Sequence, residues 1–237
     1  MKSLNVLCLT IITFIHISTI SLAQEVDPIA ESARLRRESD ERKLSTGTRE
    51  EKYEIALRKA ALHTFNKEYA EAMKMYNVAI EQNINSWIPY YDRAPLKQSL
   101  GDYRGAADDY LKLETQLSNG NHRNDRVYII YNIAICKENI EDYEEAIKYF
   151  KKCINIQNLS DYHNSIAKIY YKLKNYQTAL QYLNEAIELD PNDNSYFYNK
   201  GLTLIKIGKT EDGCKALSRS GELGSSNAYA AIREHCQ

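Results

Sequence analysis

The chain has 237 residues, with 31 Lys and Arg against 32 Asp and Glu and a formal net charge of −1 at pH 7. That balance leaves no basic excess to neutralise a phosphate backbone, so nucleic acid is not an expected partner. Hydrophobic residues at 43% and charged residues at 27%, with 19 Tyr against 9 Gly and 4 Pro, exclude a generally disordered chain and favour helices over loops.

Residues 1–23 carry one charge, Lys2, followed by an uncharged, Leu/Ile/Val-rich stretch from Leu4 to Leu22 that ends Ser21-Leu22-Ala23. Small residues at the two positions a signal peptidase reads mark a secretory signal peptide cleaved after Ala23. Retained, the same segment would tether the chain to a membrane, but Asn5, His16 and several Ser and Thr make it a poor permanent span. Its removal leaves 30 basic and 32 acidic residues, a charge of about −2. Residues 24–48 hold charges of both signs and few large apolar side chains, the composition of an exposed helix or mobile tether. Thr48-Arg49-Glu50-Glu51 then has the form of a capping box, so a helix should begin near Arg49 and open a folded region over 49–237.

Within that region one pattern recurs. It reads Tyr69/Ala72/Tyr76/Ala79, Tyr103/Ala106/Tyr110/Leu113, Tyr143/Ala146/Phe150/Cys153 and Tyr176/Ala179/Leu183/Ala186, with starts separated by 34, 40 and 33 residues. An aromatic followed at i+3, i+7 and i+10 lies on one helix face, and the small residues in it let a second helix approach closely. Upstream of each aromatic lies another amphipathic stretch, such as Val127 to Ala134, so each unit is a helix A, a tight turn and a helix B. The units fall at about 53–86, 87–120, 127–159, 160–193 and 194–225, with a capping helix over 226–235. Leu100-Gly101-Asp102-Tyr103 reads as stop, turn and restart, while Pro191 closes the fourth unit. The six extra residues between units two and three fall in Ser118 to Asn124, a polar string expected to be a surface loop. Pro95 should kink the second helix A or delay its start.

A period of 33 to 40 residues built from helical hairpins resembles the tetratricopeptide repeat. The resemblance covers roughly residues 53 to 210 and includes the small residue late in helix A at Ala60, Ala94, Ala134, Ala167 and Gly201. It departs from the family in lacking the helix A tryptophan, replaced by Ala56, Tyr90, Ile130, His163 and Phe197. The fifth unit departs again, with Thr210 and Gly213 where Tyr and Ala are expected. The closing stretch, Gly213-Cys214-Lys215-Ala216 through His235-Cys236-Gln237, is similar to the ends of exported tetratricopeptide proteins of bacteria. The implied fold is all-α, a right-handed α-solenoid of about five helical hairpins with a C-terminal capping helix.

The resemblance implies a concave groove lined by helix A side chains, where a protein or peptide partner binds. Carried over position by position, the groove residues are Ile88 and Tyr91 in unit two, then Tyr128, Tyr131, Ile135, Glu138 and Asn139 in unit three. Unit four gives Asp161, Asn164, Lys168, Tyr171 and Lys172, and unit five gives Tyr198, Leu202 and Lys206. Tyr143, Tyr170 and Tyr176 are expected to pack between neighbouring helices instead. The Lys/Asn/Arg clamp by which some members hold a C-terminal carboxylate is not reproduced, since Leu57, Asp92, Tyr131 and Asn132 occupy the matching positions.

Cys8 leaves with the signal segment and Cys136, Cys153, Cys214 and Cys236 remain, an even number in an exported chain. A Cys214–Cys236 bridge would pin the capping helix to the last helix B; two unpaired thiols is the alternative. Cys136 and Cys153 read as small core residues. Elsewhere no catalytic motif, cofactor fingerprint or metal-ligand spacing appears, and adjacent acids such as Asp108/Asp109 and Glu144/Glu145 read as solvated faces. The expectation is therefore an exported, non-enzymatic scaffold with no cofactor, no metal and no small-molecule substrate. A membrane-anchored structural subunit is the alternative if residues 1–23 are retained.

Overall fold

The computed structural model describes residues 28–117 and 123–236, so the expected signal segment 1–23 and most of the inserted string, 118–122, lie outside the described residues. Twelve α-helices account for the regular structure among the described residues, and the chain divides into two compact units, 1–84 and 85–237. The first holds α1 (Pro28–Thr46), α2 (Arg49–Phe65) and α3 (Tyr69–Gln82). The second holds α4 (Ile88–Ser99), α5 (Tyr103–Leu117), α6 (Arg123–Asn139), α7 (Tyr143–Ile156), α8 (Ser160–Lys172), α9 (Tyr176–Leu189), α10 (Asn194–Lys206), α11 (Thr210–Glu222) and α12 (Ser226–His235).

Pairs α2/α3, α4/α5, α6/α7, α8/α9 and α10/α11 pack as hairpins. Within the second unit each helix B also packs on the following helix A, and α12 packs on both α10 and α11. The repeated aromatics Tyr69, Tyr103, Tyr143 and Tyr176 are the first residues of their helices. The small residues three positions on, Ala72, Ala106, Ala146 and Ala179, are each 0% exposed. So are Ala60 and Ala94 on the opposing helices A, with Ala134 and Ala167 buried alongside. Tyr76, Tyr110, Phe150 and Leu183 fill the space one further turn along and are buried too. A methyl on each facing surface lets the hairpin backbones approach, and the large ring beyond it supplies the buried apolar area, about 25 cal/mol per Å².

In the fifth hairpin glycines replace the alanines on both helices. A Cβ on Gly201 would lie 2.9 Å from the Gly213 carbonyl oxygen, and one on Gly213 would lie 2.8 Å from that of Gly201. The departure at Gly213 therefore lets α10 and α11 cross backbone to backbone, with Leu217 taking the role of the large buried residue.

Helix α2 begins at Arg49 behind a complete capping box: Thr48 Oγ1 accepts from the Glu51 N–H at 3.2 Å while Glu51 Oε2 accepts from the Thr48 N–H at 3.0 Å. The charged stretch before it is helical as α1, held to α2 by Arg58–Asp40 at 2.6 Å and Lys43–Glu51 at 3.2 Å. Pro95 does not delay α4, which runs from Ile88 to Ser99 with Pro95 inside it, while Pro89 sits in the first turn, where no N–H partner is needed. Helix α6 starts at Arg123, so the end of the polar string belongs to the helix, whose first turn carries Asp125.

The five A-to-B turns share one geometry. The N–H of Glu68, Asp102, Asp142, Asn175 and Lys209 each returns to the carbonyl five residues earlier at 2.8 to 3.0 Å, and the preceding residue has positive φ. Gly101 and Gly208 occupy that left-handed position at φ 82°, but Lys67, Glu141 and Lys174 occupy it at 62°, 62° and 59°. A Cβ there is strained by about 1 kcal/mol or more. Replacing Lys67, Glu141 or Lys174 by Gly is expected to stabilise by about 0.5 to 1 kcal/mol each, and Gly101→Ala to destabilise by a similar amount. Urea unfolding followed by circular dichroism checks the direction.

Candidate partner-binding face

In the second unit the helices A (α4, α6, α8 and α10) present the residues expected to line a groove, and the structure divides them into two kinds. Some tie one repeat to the next. Tyr131 on α6 lies 5.6 Å from the Tyr162 ring of α8 and 6.0 Å from Phe150. Asn164 on α8 accepts from Asn199 on α10 at 2.9 Å, and Lys172 on α8 donates to Glu138 on α6 at 2.7 Å. Asp161 accepts from the hydroxyl of buried Tyr196 at 2.8 Å. Because repeats stack through these contacts, Tyr131, Asn164, Asp161 and Lys172 serve cohesion within the unit before they serve a ligand.

The remaining residues make no hydrogen bond or ion pair to the helix A of a neighbouring repeat among the described residues. Tyr128 is 41% exposed, with its ring 6.1 Å from Tyr91, which stands edge-on to Trp87 at 5.7 Å. Tyr91, Tyr171 and Tyr198 are half-buried, Tyr171 against the Tyr176 ring at 5.4 Å. Partial burial raises the pKa of Tyr91, Tyr131 and Tyr171, so these phenols stay neutral and offer ring area with a hydroxyl. Asn139 is exposed, its amide turned back onto the Ile135 carbonyl at 2.8 Å. Lys168 is exposed on α8.

Between α8 and α10 the face sinks into a depression of about 290 Å³ with Ala167, Leu183, Leu202 and Thr203 in its lining and Lys168, Tyr171 and Asn199 around them. A neighbouring depression of about 400 Å³ shares Tyr171 and Leu202, adds Tyr198 and Lys206, and is walled by Ala230, Ala231, Glu234 and His235 of α12. The contribution of α12 is absent from the sequence reading, which gave that helix a capping role alone. Nothing in the repeat pattern singles out Asn199, which lies one residue past the position equivalent to Asn164.

Asp109 corrects the reading of adjacent acids as solvated faces. It is 3% exposed, gripped by Arg93 through two bonds of 2.8 and 2.6 Å and by Lys97 at 2.9 Å, whereas Asp108 is exposed. Its place on the α4 side of α5 buries it between cations, and Arg93 donates to both carboxylate oxygens. His163 occupies the tryptophan position of the fourth helix A, 7% exposed, with Nδ1 2.8 Å from Glu185 Oε2 and Nε2 2.6 Å from Asn158 Oδ1. His63 faces Glu68, and His235 sits beside Glu234. Among the described residues no three His, Cys, Asp or Glu side chains gather as they would around a metal ion. None of the helices described is long and apolar enough to cross a membrane.

Tetratricopeptide repeat models match residues 127–158 and 160–193. The photosystem I assembly protein Ycf3 of Rippkaea orientalis is 32% identical over 122 residues, which span 44% of this chain and 67% of that protein. This chain is a tetratricopeptide repeat protein. A TPR repeat-containing protein of Methanocaldococcus jannaschii is 29% identical over 145 residues, 60% of this chain but 26% of its own length. The Hsp70-Hsp90 organizing protein of Triticum aestivum is 42% identical over 57 residues, 10% of its length. Among solved structures, MamA superposes with a TM-score of 0.63 at 13% identity, covering 72% of this chain and 91% of MamA. YrrB, described as a TPR protein with an unusual peptide-binding site, gives 0.60 at 18%, covering 76% and 91%. At such identities these two structures speak for the fold alone.

The tetratricopeptide scaffold places its cysteines in two settings. Cys214 on α11 and Cys236 after α12 face each other with their Cα atoms 5.8 Å apart, the separation a disulfide requires. Cys136 on α6 and Cys153 on α7 are free and fully buried, and burial pushes each thiol up to about 12 from an ordinary 9.0. Both stay protonated in the fold while an unfolded chain ionises them near their ordinary value. Their contribution to stability is therefore intact below about pH 9 and is lost as pH rises from about 9 towards 12, the window in which buried Tyr149 and Tyr196 act in the same direction. Iodoacetamide at pH 8 should leave Cys136 and Cys153 unmodified in the native protein and alkylate both in guanidinium, as read by peptide mass spectrometry.

Proposed function

We propose that this tetratricopeptide repeat protein is a non-enzymatic scaffold that holds a protein or peptide partner on the helix A face of its second unit. The observation that carries the reading is the accessible part of that face: the rings of Tyr91 and Tyr128 at its α4–α6 end, and those of Tyr171 and Tyr198 bordering the depressions at its α8–α10 end. Such rings give contact area at low entropy cost, while the amide of Asn139 and the amine of Lys168 can fix a partner's register. Relatives whose names describe assembly or organising of proteins, Ycf3 and the Hsp70-Hsp90 organizing protein, support a binding role. Nucleic acid and small-molecule substrates stand outside this proposal, as do a metal and a cofactor.

The test is a triple substitution at accessible rings of the face: Tyr128→Ala, Tyr171→Ala and Tyr198→Ala. It should keep the helical circular dichroism of the parent and lose the polypeptides that co-purify with the parent from native extract, identified by mass spectrometry. Retention of every one of them would overturn the reading.

Export to the periplasm or the cell exterior belongs to the same proposal, supported by the composition of residues 1–23 and by the Cys214–Cys236 pair. Intact mass of the native protein should show loss of residues 1–23; a mass that includes them would favour a membrane-tethered subunit.

A further inference from the structure

The proposed binding face is not uniform in chemistry along its length. At its α4–α6 end the accessible rings lie near Asp92 and Asp125, both exposed. At its α8–α10–α12 end the first depression has an apolar lining of Ala167, Leu183 and Leu202, and the second, which shares Leu202, is mixed, with Ile205 and Ala231 beside Asn227, Lys206 and Glu234. The exposed charges around them are mainly cationic. Lys168 flanks the first depression and Lys206 the second, both exposed and without an ion-pair partner among the described residues. Lys172 is already neutralised by Glu138 at 2.7 Å. Glu234, exposed at the outer wall, and His235 beside it line the second depression, and Asp161, exposed in the first turn of α8, accepts from the Tyr196 hydroxyl at 2.8 Å.

We propose that the α8–α10–α12 end of the face binds an acidic amphipathic peptide segment, with a bulky apolar side chain in the depression over Leu183 and Leu202 and Glu or Asp side chains on Lys168 and Lys206. The inference rests on the groove reading and adds the partner's chemistry to it. Apolar burial supplies affinity, and two unpaired ammonium groups at the rim select sign. A basic segment would bring like charges together there, and a neutral one would leave both lysines without a partner. Lysine acts as a point charge on a flexible stem, so side-chain carboxylates at varied spacing can reach it. Helix α12, packed on α10 and α11, forms the far wall and so limits how the segment leaves the second depression.

The experiment uses the full chain and fluorescein-labelled twelve-residue peptides, acetylated and amidated at their ends, in which Leu and Phe alternate with Glu, Gln or Lys. A fourth probe is the Glu peptide with a free C-terminal carboxylate. Fluorescence anisotropy should show the Glu peptide binding at least about tenfold more tightly than the Gln or Lys peptide, and weakening between about 0.05 M and about 0.5 M salt. The pair Lys168→Glu and Lys206→Glu, both at exposed positions, should leave the circular dichroism unchanged and shift preference to the Lys peptide. Equal affinity for the Glu and Gln peptides, no binding by any of them, or binding by the free-carboxylate form alone would overturn the inference. Equal binding of all three that is lost in Leu202→Asp would remove the acidic preference and leave the groove reading standing.

Discussion

The structure depends first on how closely two helix backbones can approach within a hairpin. Ala60 with Ala72, and the equivalent pairs Ala94 with Ala106, Ala134 with Ala146 and Ala167 with Ala179, leave only methyl groups between the helices, and all are buried. Gly201 and Gly213 carry the same constraint to its limit, because a single methyl on either would meet the other's carbonyl oxygen. Only with this approach satisfied can Tyr76, Tyr110, Phe150, Leu183 and Leu217 close over the seam and stabilise it by burial. A larger side chain in the row would force a backbone shift that typically costs about 1 to 3 kcal/mol.

The turns follow from that seam. Once the hairpin register is fixed by the small residues, the chain must reverse within three residues, and every A-to-B turn does so with one left-handed residue and the same pair of backbone bonds. Glycine meets this requirement without strain at Gly101 and Gly208, and the sequence made the first of these readable as a turn. Lys67, Glu141 and Lys174 give no such local sign. Their conformation is imposed by packing on both sides, a case of tertiary constraint overriding the preference of a single residue.

The sequence disclosed the hairpins, the helix starts at Tyr69, Tyr103, Tyr143 and Tyr176 and the capping box at Thr48 because each rests on a local pattern with a fixed period. It disclosed the candidate face less well. Periodicity places Tyr131 and Tyr198 at the same point of the third and fifth units and both are half-buried, yet Tyr131 is packed against Tyr162 and Phe150 while Tyr198 borders the depression walled by α12. The difference is decided by what the next helix A offers opposite each ring, and that is a property of pairs of repeats rather than of one. Asp109 illustrates the same point: next to Asp108 it looks solvated, and only the crossing of α4 over α5 brings Arg93 and Lys97 to it.

Helix α12 joins the two themes. A terminal hairpin exposes an apolar edge that no further repeat covers, so a helix is needed there whatever the protein binds. Ala228 and Ala231 are buried as it covers that edge, and Ala230, Glu234 and His235 are thereby brought to the wall of the depression shared with Tyr171 and Leu202. The cap and the wall are one element. Anything that loosens α12 acts on both the stability of the last hairpin and the shape of the neighbouring binding face. The site at this end is thus built by the same contacts that finish the fold.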